Sequence, residues 1–324
     1  GTIVVNGNAV RGMNTSSSIP AFGGGTLVLS NVGTFTRNLS LAGGGPTGDG
    51  SALILIGNNT LTGSVTDYAS FNTNNAGARI AGTTTGLSTF SGALSIGSAP
   101  IQFTGDGNFV LSTTELTVAA GTTYSSIEKY GTGTFWIKSS NTTNVTDTTG
   151  NGLTVKQGTL IIDSNGTWRS KLFIENGATV TVDDSIINFD KGRFSNQQSG
   201  IYFDLTMRGG NFNLVGALNS AFPSYENFNT LVLSSRGSNV LTVTQQNVTF
   251  AQTILAFRSG TAWTNPTPAQ TTAANGASYL FRGIGETPAT ARASVQLAVD
   301  PSWSGETGAA GTANRAMLPW ALVD

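Results

Sequence analysis

The sequence has no histidine and no cysteine across 324 residues, and each absence removes a body of chemistry. Without imidazole there is no Ser-His-Asp triad, no His-ligated zinc or haem and no imidazole general base. Without thiols there is no disulfide, no thiolate nucleophile and no cysteine metal site. No cofactor is therefore expected. Charge is scarce too: Asp, Glu, Lys and Arg make up 10% of the chain, against roughly 25% in an ordinary soluble domain. Up to Gly105 the charged residues are Arg11, Arg37, Asp49, Asp67 and Arg79, and the first lysine is Lys129. A net charge of -1 with no basic run offers phosphate no footprint, so no nucleic-acid partner is expected. No apolar run reaches the ~18 residues of a membrane span.

What is present is a short alternation of apolar and small polar residues, bracketed by glycine or asparagine. It recurs as TIVVNG, GTLVLSN, SALILIGNN, GALSIGS, GTFWIKSSN, GLTVKQG, GTLIIDSNG and ATVTVDD. Period-2 alternation ended by residues that accept positive φ is the pattern of half-buried strands. Helical periodicity is nearly absent; the best stretch is the alanine-rich Pro288 to Val299, where a short helix is expected. The chain reads as all-β. A propeller would repeat an aromatic motif every ~40 to 45 residues, and none recurs. A sandwich would wet its outer faces with Lys and Glu, whereas a solenoid can do so with ladders of Thr, Ser and Asn. The fold expected is thus a right-handed β-helix, a β-solenoid with rungs of some 20 to 30 residues.

The segment from Lys129 to Thr167 runs KYGTGTFWIKSSNTTNVTDTTGNGLTVKQGTLIIDSNGT. It resembles the autotransporter-associated β-strand repeat, with Lys129, Gly131, Gly133 and Thr134 opening the motif, Asn141 and Thr142 at its Asn-Thr step, and Val155, Gly158, Thr159 and Leu160 closing it. The polar excursion Thr143 to Thr149 departs from the pattern of that family. The resemblance extends more weakly to Ala9 to Asn31, to Gly210 to Thr244 and to the C-terminal stretch. It implies a passenger-type β-solenoid, one block of a very large secreted bacterial surface protein. It implies no activity.

Several motifs invite sharper readings. Gly43, Gly45 and Gly48 satisfy G-x-G-x-x-G by letter, but a strand-like SALILIG follows where a dinucleotide site needs a helix, so a solenoid corner is expected. Asp49 and Asp106 sit in Gly-Asp-Gly contexts without the nonapeptide repeat of calcium-binding rolls, and read as turn residues. Asp183, Asp184 and Asp190 are the acidic cluster from which an acid–base pair of a β-helical polysaccharide lyase or hydrolase could come. Adjacent residues on a strand point to opposite faces, and Lys191 and Arg193 lie nearby, so solvated loop charge is the expected reading. Trp136, Trp168, Trp263, Trp303 and Trp320 are either core fillers or stacking platforms for sugar rings.

Residues 1–259 are expected to form solenoid coils, and 260–324, with Trp263-Thr-Asn-Pro-Thr-Pro268 placing two prolines that central strands reject, an irregular segment that docks on or leads into a further block. Both ends, GTIVVNG and LPWALVD, read like strand. A solenoid end exposes a row of unpaired backbone groups unless capped. Ile3, Val4 and Val5, with Leu318, Trp320 and Leu322, are therefore the residues expected to contact a neighbouring block or a second copy. A structural, surface-displayed or extracellular role by self-association is the first expectation, and an adhesin that binds glycans is the alternative.

Overall fold

The computed structural model describes residues 2–7, 19–21, 25–43, 50–67, 77–83, 86–97, 99–112, 116–118, 126–139, 152–187, 192–194, 202–218, 222–233, 237–246, 252–257, 278–285, 292–297 and 321–323. Every element among them is a strand, and every pairing is parallel. The fold is an all-β parallel β-solenoid with no closed barrel. The chain divides into two compact units, Gly1–Lys171 and Leu172–Asp324.

In the first unit the strands, numbered in chain order, stack into three ladders. One holds β1 (Thr2–Asn6), β3 (Thr26–Ser30), β6 (Leu53–Ile56), β9 (Arg79–Gly82), β12 (Ile101–Gly105), β15 (Ile127–Lys129) and β17 (Leu153–Val155). The second holds β4 (Gly33–Phe35), β7 (Asn59–Leu61), β10 (Leu87–Phe90), β13 (Asn108–Leu111), β16 (Thr134–Ile137) and β18 (Thr159–Ile162). The third holds β2 (Ile19–Ala21), β5 (Leu39–Leu41), β8 (Val65–Asp67), β11 (Leu94–Ile96) and β14 (Leu116–Val118). Each winding visits the ladders in turn, so residues in contact on consecutive rungs lie 20 to 30 positions apart.

Alternation decides which side chains fill the interior. In β16 Phe135 and Ile137 are buried while Thr134 and Trp136 are half-buried, and β18 repeats this with Leu160 and Ile162 inside. Register then stacks like on like: Leu27, Leu53, Ile80 and Phe103 form one inward column. Phe103 lies flat against Phe135 at 4.6 Å between centroids, and Phe90 and Phe109 meet Phe103 edge-on at 5.5 and 5.2 Å. Such pairs add about 0.5–1.5 kcal/mol each beyond the area they bury.

The corners explain the glycines. Gly105 and Gly131 have φ of 80° and 73°, and a Cβ on Gly131 would sit 2.0 Å from the Gly105 carbonyl oxygen of the rung before. Only glycine allows corner backbone to stack this closely at this φ. Asparagines and an aspartate tie the same corners together across rungs. Asn59 Oδ1 accepts from Val32 N–H (3.1 Å), Asn108 Oδ1 from Thr134 N–H (2.8 Å), and Asp106 Oδ1 from the Thr132 hydroxyl (2.6 Å). The first two bonds satisfy backbone donors that leave the ladder where the chain turns, and the third joins side chains of consecutive corners.

The second unit repeats the plan with rungs of 26 to 42 residues. Its ladders are β19 (Leu172–Glu175), β21 (Leu205–Arg208) and β24 (Leu231–Leu233); β20 (Thr179–Asp183), β22 (Asn211–Val215), β25 (Ser238–Thr244), β27 (Ser278–Ile284) and β29 (Ala321–Val323); and β23 (Ser224–Phe228), β26 (Gln252–Phe257) and β28 (Arg292–Leu297). Phe228 is the hub of its core, with Phe194, Phe212 and Phe257 at 5.4, 5.6 and 6.0 Å.

Two expectations meet the structure here. The short helix expected over Pro288 to Val299 is instead β28, paired residue for residue with β26 from Gln252↔Arg292 to Phe257↔Leu297. Intrinsic helix propensity, alanine's included, is a small local preference, and six residues of parallel register with β26 override it. The stretch from residue 260, expected to be irregular, contributes β27, β28 and β29 to the ladders. Trp263 and both prolines of its WTNPTP run lie outside the described residues.

Candidate functional site

The end residues come first. In β1 the side chains of Ile3 and Val5 sit in register with Leu27 and Leu29, which are buried, so they belong to the inward face. Val5 is buried, at 2% exposure. Ile3 is 57% exposed, although the next residues of its column, Leu27 and Leu53, are 2% and 0%. Val4, on the opposite face, is also 57% exposed. β1 thus has β3 on one side, and an apolar column ending in open isoleucine. Leu322 lies on β29, whose backbone pairs with Leu280 of β27; Leu318 and Trp320 lie outside the described residues.

Sequence reasoning missed a second set of groups, which are ionisable and point inward. Lys129 pairs in register with Phe103 and Val155 and is fully buried, a lysine in an apolar column. Its ammonium donates to the carbonyl oxygens of Tyr130 and, at 2.7 Å, Gly131. Burial pushes its pKa down to about 8 against the opposing pull of Asp106. The lysine that opens the K-x-G-x-G-T motif therefore clamps the carbonyls of its own corner. Asp67, at the end of β8 and in register with the buried Leu41, is its acidic counterpart. Asp67 Oδ1 accepts from Ala78 N–H at 3.1 Å, and burial raises its pKa to about 7 despite that bond and one from Gly97. Period 2 alone places both inward, since Ile127 and Val65 are buried two residues earlier.

The acidic cluster is rearranged by the fold. Asp184 is not solvated loop charge: it forms an ion pair of 2.7 Å with Arg193, the two side chains 1% and 0% exposed. Asp183 turns away, its Oδ1 accepting from Ser185 N–H at 2.9 Å. Asp190 and Lys191 lie outside the described residues. The third member is Glu226 of β23, wholly buried, which accepts from the backbone N–H groups of Arg193 (2.7 Å), Phe194 (3.2 Å) and Asn227 (3.1 Å). Burial raises its pKa to about 8, those bonds pull it down, and Asp184 pushes it further up. Both carboxylates are buried and face protein donors, Arg193 for Asp184 and three backbone N–H groups for Glu226.

The remaining motifs resolve simply. Asp106 is fully exposed and bound by the Thr132 hydroxyl and N–H, which hold its carboxyl below the usual range. Gly43 lies at φ 69° and the next described element is the strand β6, while Gly45, Gly48 and Asp49 lie outside the described residues. Trp168 is buried and donates to Ser170 Oγ. Trp136 is half-buried on the outer face of its ladder, in register with Val110 and Ile161, and Trp303 lies outside the described residues. Among the described residues no group of three carboxylates could hold a metal ion, and no helix is long and apolar enough to cross a membrane.

Comparison with known proteins returns no matching family model, no matching curated protein and no matching solved structure.

Proposed function

We propose that this chain is a non-enzymatic structural block of an extracellular or bacterial cell-surface assembly, extended end to end through the open edge at β1. The observation that carries the reading is the inward face of Ile3, 57% exposed at the head of a column that is otherwise sealed. A strand that among the described residues pairs on one side only, heading an apolar column whose Ile3 is exposed, favours one occupant, another rung of the same pitch. That rung belongs either to a continuous neighbouring block or to a second copy. The extracellular assignment rests on the lack of thiols, the sparse charge and the resemblance of Lys129 to Thr167 to autotransporter-associated repeats.

The test is electron microscopy and sedimentation at increasing protein concentration. Rods that lengthen with concentration are expected, and Ile3→Lys, which puts a charge at the head of the column, should leave single blocks. Dispersed monomers at high concentration in the unmodified chain would count decisively against stacking. A second reading, glycan adhesion, is supported by the outer-face Trp136 between Val110 and Ile161. It predicts quenching of tryptophan fluorescence by oligosaccharide that Trp136→Ala abolishes.

A further inference from the structure

Down the outer face of the second ladder of the first unit runs one column of side chains, Thr34, Thr60, Thr89, Val110, Trp136 and Ile161, matched rung to rung by register. Its chemistry changes partway. Threonines on the earlier rungs present hydroxyls, as a wall that meets water does, and the later rungs replace them with valine, tryptophan and isoleucine. Val110 is buried, whereas Trp136 and Ile161 are half-buried. Two residues on from Trp136 and Ile161 come Lys138 and Asp163, an ion pair at 3.1 Å with 39% and 16% of their side chains exposed. Two residues before them come Thr134 and Thr159, also in register. The apolar pair therefore has hydroxyls along one edge and a charge of each sign along the other.

This pattern is its own complement. A second copy turned over about a two-fold axis that lies in the face, parallel to the strands and midway between β16 and β18, sets Trp136 of each copy on Ile161 of the other. The same rotation sets Lys138 of each copy on Asp163 of the other, so both charges gain a partner of opposite sign. Facing sheets pack about 10 Å apart, a gap that tryptophan and isoleucine side chains fill. An axis along the coil direction, through the Trp136 column, would instead lay Lys138 over Thr134 and match no charge.

We infer that this face binds a second copy of the chain, so that rods formed end to end pair side by side, in antiparallel sense, through Trp136, Ile161, Lys138 and Asp163. The inference rests on the end-to-end reading above and adds a lateral contact to it. Area makes the one depend on the other. A stable complex buries roughly 800 Å² on each partner, more than two apolar side chains and an ion pair provide, so separate blocks do not stay paired. In a rod the patch recurs once per block, each further contact forms within an already joined pair, and pairing follows rod formation.

The experiment is electron microscopy of the assembled full chain, with rod length and rod pairing scored separately. Side-by-side pairs are expected from the unmodified chain. Trp136→Thr, which gives the column the residue it carries at Thr89, should leave single rods of unchanged length, and so should Lys138→Glu and Asp163→Lys. Preformed rods of Lys138→Glu mixed with preformed rods of Asp163→Lys should pair again, because the two-fold places each altered charge against its opposite on the other rod. Unmodified rods that stay single overturn the lateral contact and leave the end-to-end reading standing, whereas an unmodified chain that forms no rods overturns both. Pairs that persist in all three variants, or mixed rods that stay apart, also overturn the contact. Single rods whose tryptophan fluorescence is quenched by oligosaccharide would give the face to glycan and overturn it too. Should Trp136→Thr not fold, the two charge variants and their mixture decide alone.

Discussion

The two units use one winding plan, with rungs of 20 to 30 residues in the first and 26 to 42 in the second, and their interiors differ. In Gly1–Lys171 consecutive rungs are linked by side-chain bonds that span 22 to 30 residues; in Leu172–Asp324 the links reach 40, between Ser238 and Ser278. Described corners of the first unit carry positive-φ glycine or asparagine, as at Asn31, Gly57, Gly105 and Gly131, and two of the ionisable groups buried there, Lys129 and Asp67, each bind backbone close by. Each unit buries three residues of the Asp, Glu, Lys and Arg types among those described, Arg37, Asp67 and Lys129 in the first and Asp184, Arg193 and Glu226 in the second. The second unit gathers its three around one strap, residues 192–194, with Arg193 paired to Asp184 and its N–H bound to Glu226.

The largest test of this contrast is to remove the strap's cation. Arg193→Ala strands Asp184 in the core and should destabilise the second unit by about 3–5 kcal/mol, read as faster amide exchange throughout β20, β22 and β23 with the first unit unchanged. Lys138→Ala breaks the partly exposed pair with Asp163 (3.1 Å) in the first unit and should cost at most about 1 kcal/mol. Equal losses would mean that the buried cluster carries no special weight.

Acidity separates the units next. Asp67 and Glu226 have folded pKa values of about 7 and about 8, above their ordinary 3.8 and 4.5. The folded chain therefore holds protons that the unfolded chain has shed. Their contribution is fully present at the acid end, below those ordinary values, and is lost as pH rises through 7 in the first unit and 8 in the second. Lys129 acts in the opposite sense: its folded value of about 8 lies below 10.5, so stability recovers somewhat between those limits. Exchange measured unit by unit from pH 4 to 9 should show a decline that levels off near pH 7 in the first unit and near pH 8 in the second, and Asp67→Asn should flatten the first.

The smallest effect concerns corners. A methyl on Gly131 would meet the Gly105 carbonyl at 2.0 Å, while Gly177, at φ 77°, has nothing within 4 Å of its added Cβ. Gly177→Ala should then cost only the left-handed penalty, roughly 1–2 kcal/mol, and Gly131→Ala distinctly more. Denaturation midpoints of the two variants would show whether stacked corners or dihedral preference governs these glycines.

Much of the fold was legible before the structure. TFWI and TLII announce β16 and β18 by alternation, and G-T-hydrophobic steps announce the rung starts. The same alternation places Lys129 and Asp67 inward, but an ionisable residue in a strand is ordinarily read as an outward one, so both went unread. Glu226 was equally visible between Ser224 and Phe228 in SYENF. Its partners were not, because Arg193 N–H lies 33 residues away. The helix expected near Ala291 failed for a related reason: the partner strand β26, which decides the matter, lies 40 residues earlier by register.

By itself the sequence determined that this chain forms short strands with one apolar face, turns on glycine and asparagine, and dispenses with thiol and imidazole chemistry, because alternation and residue type act over a few neighbouring positions. Only the tertiary structure decided which rung lies against which. That choice made Asp184 an ion-pair partner instead of a solvated charge, seated Arg193 and Phe194 on Glu226, and left Ile3 open at the head of its column. The physical reason is that a buried polar group is governed by its partner across the coil, and the length of the intervening loops, rather than the local pattern, brings that partner into place.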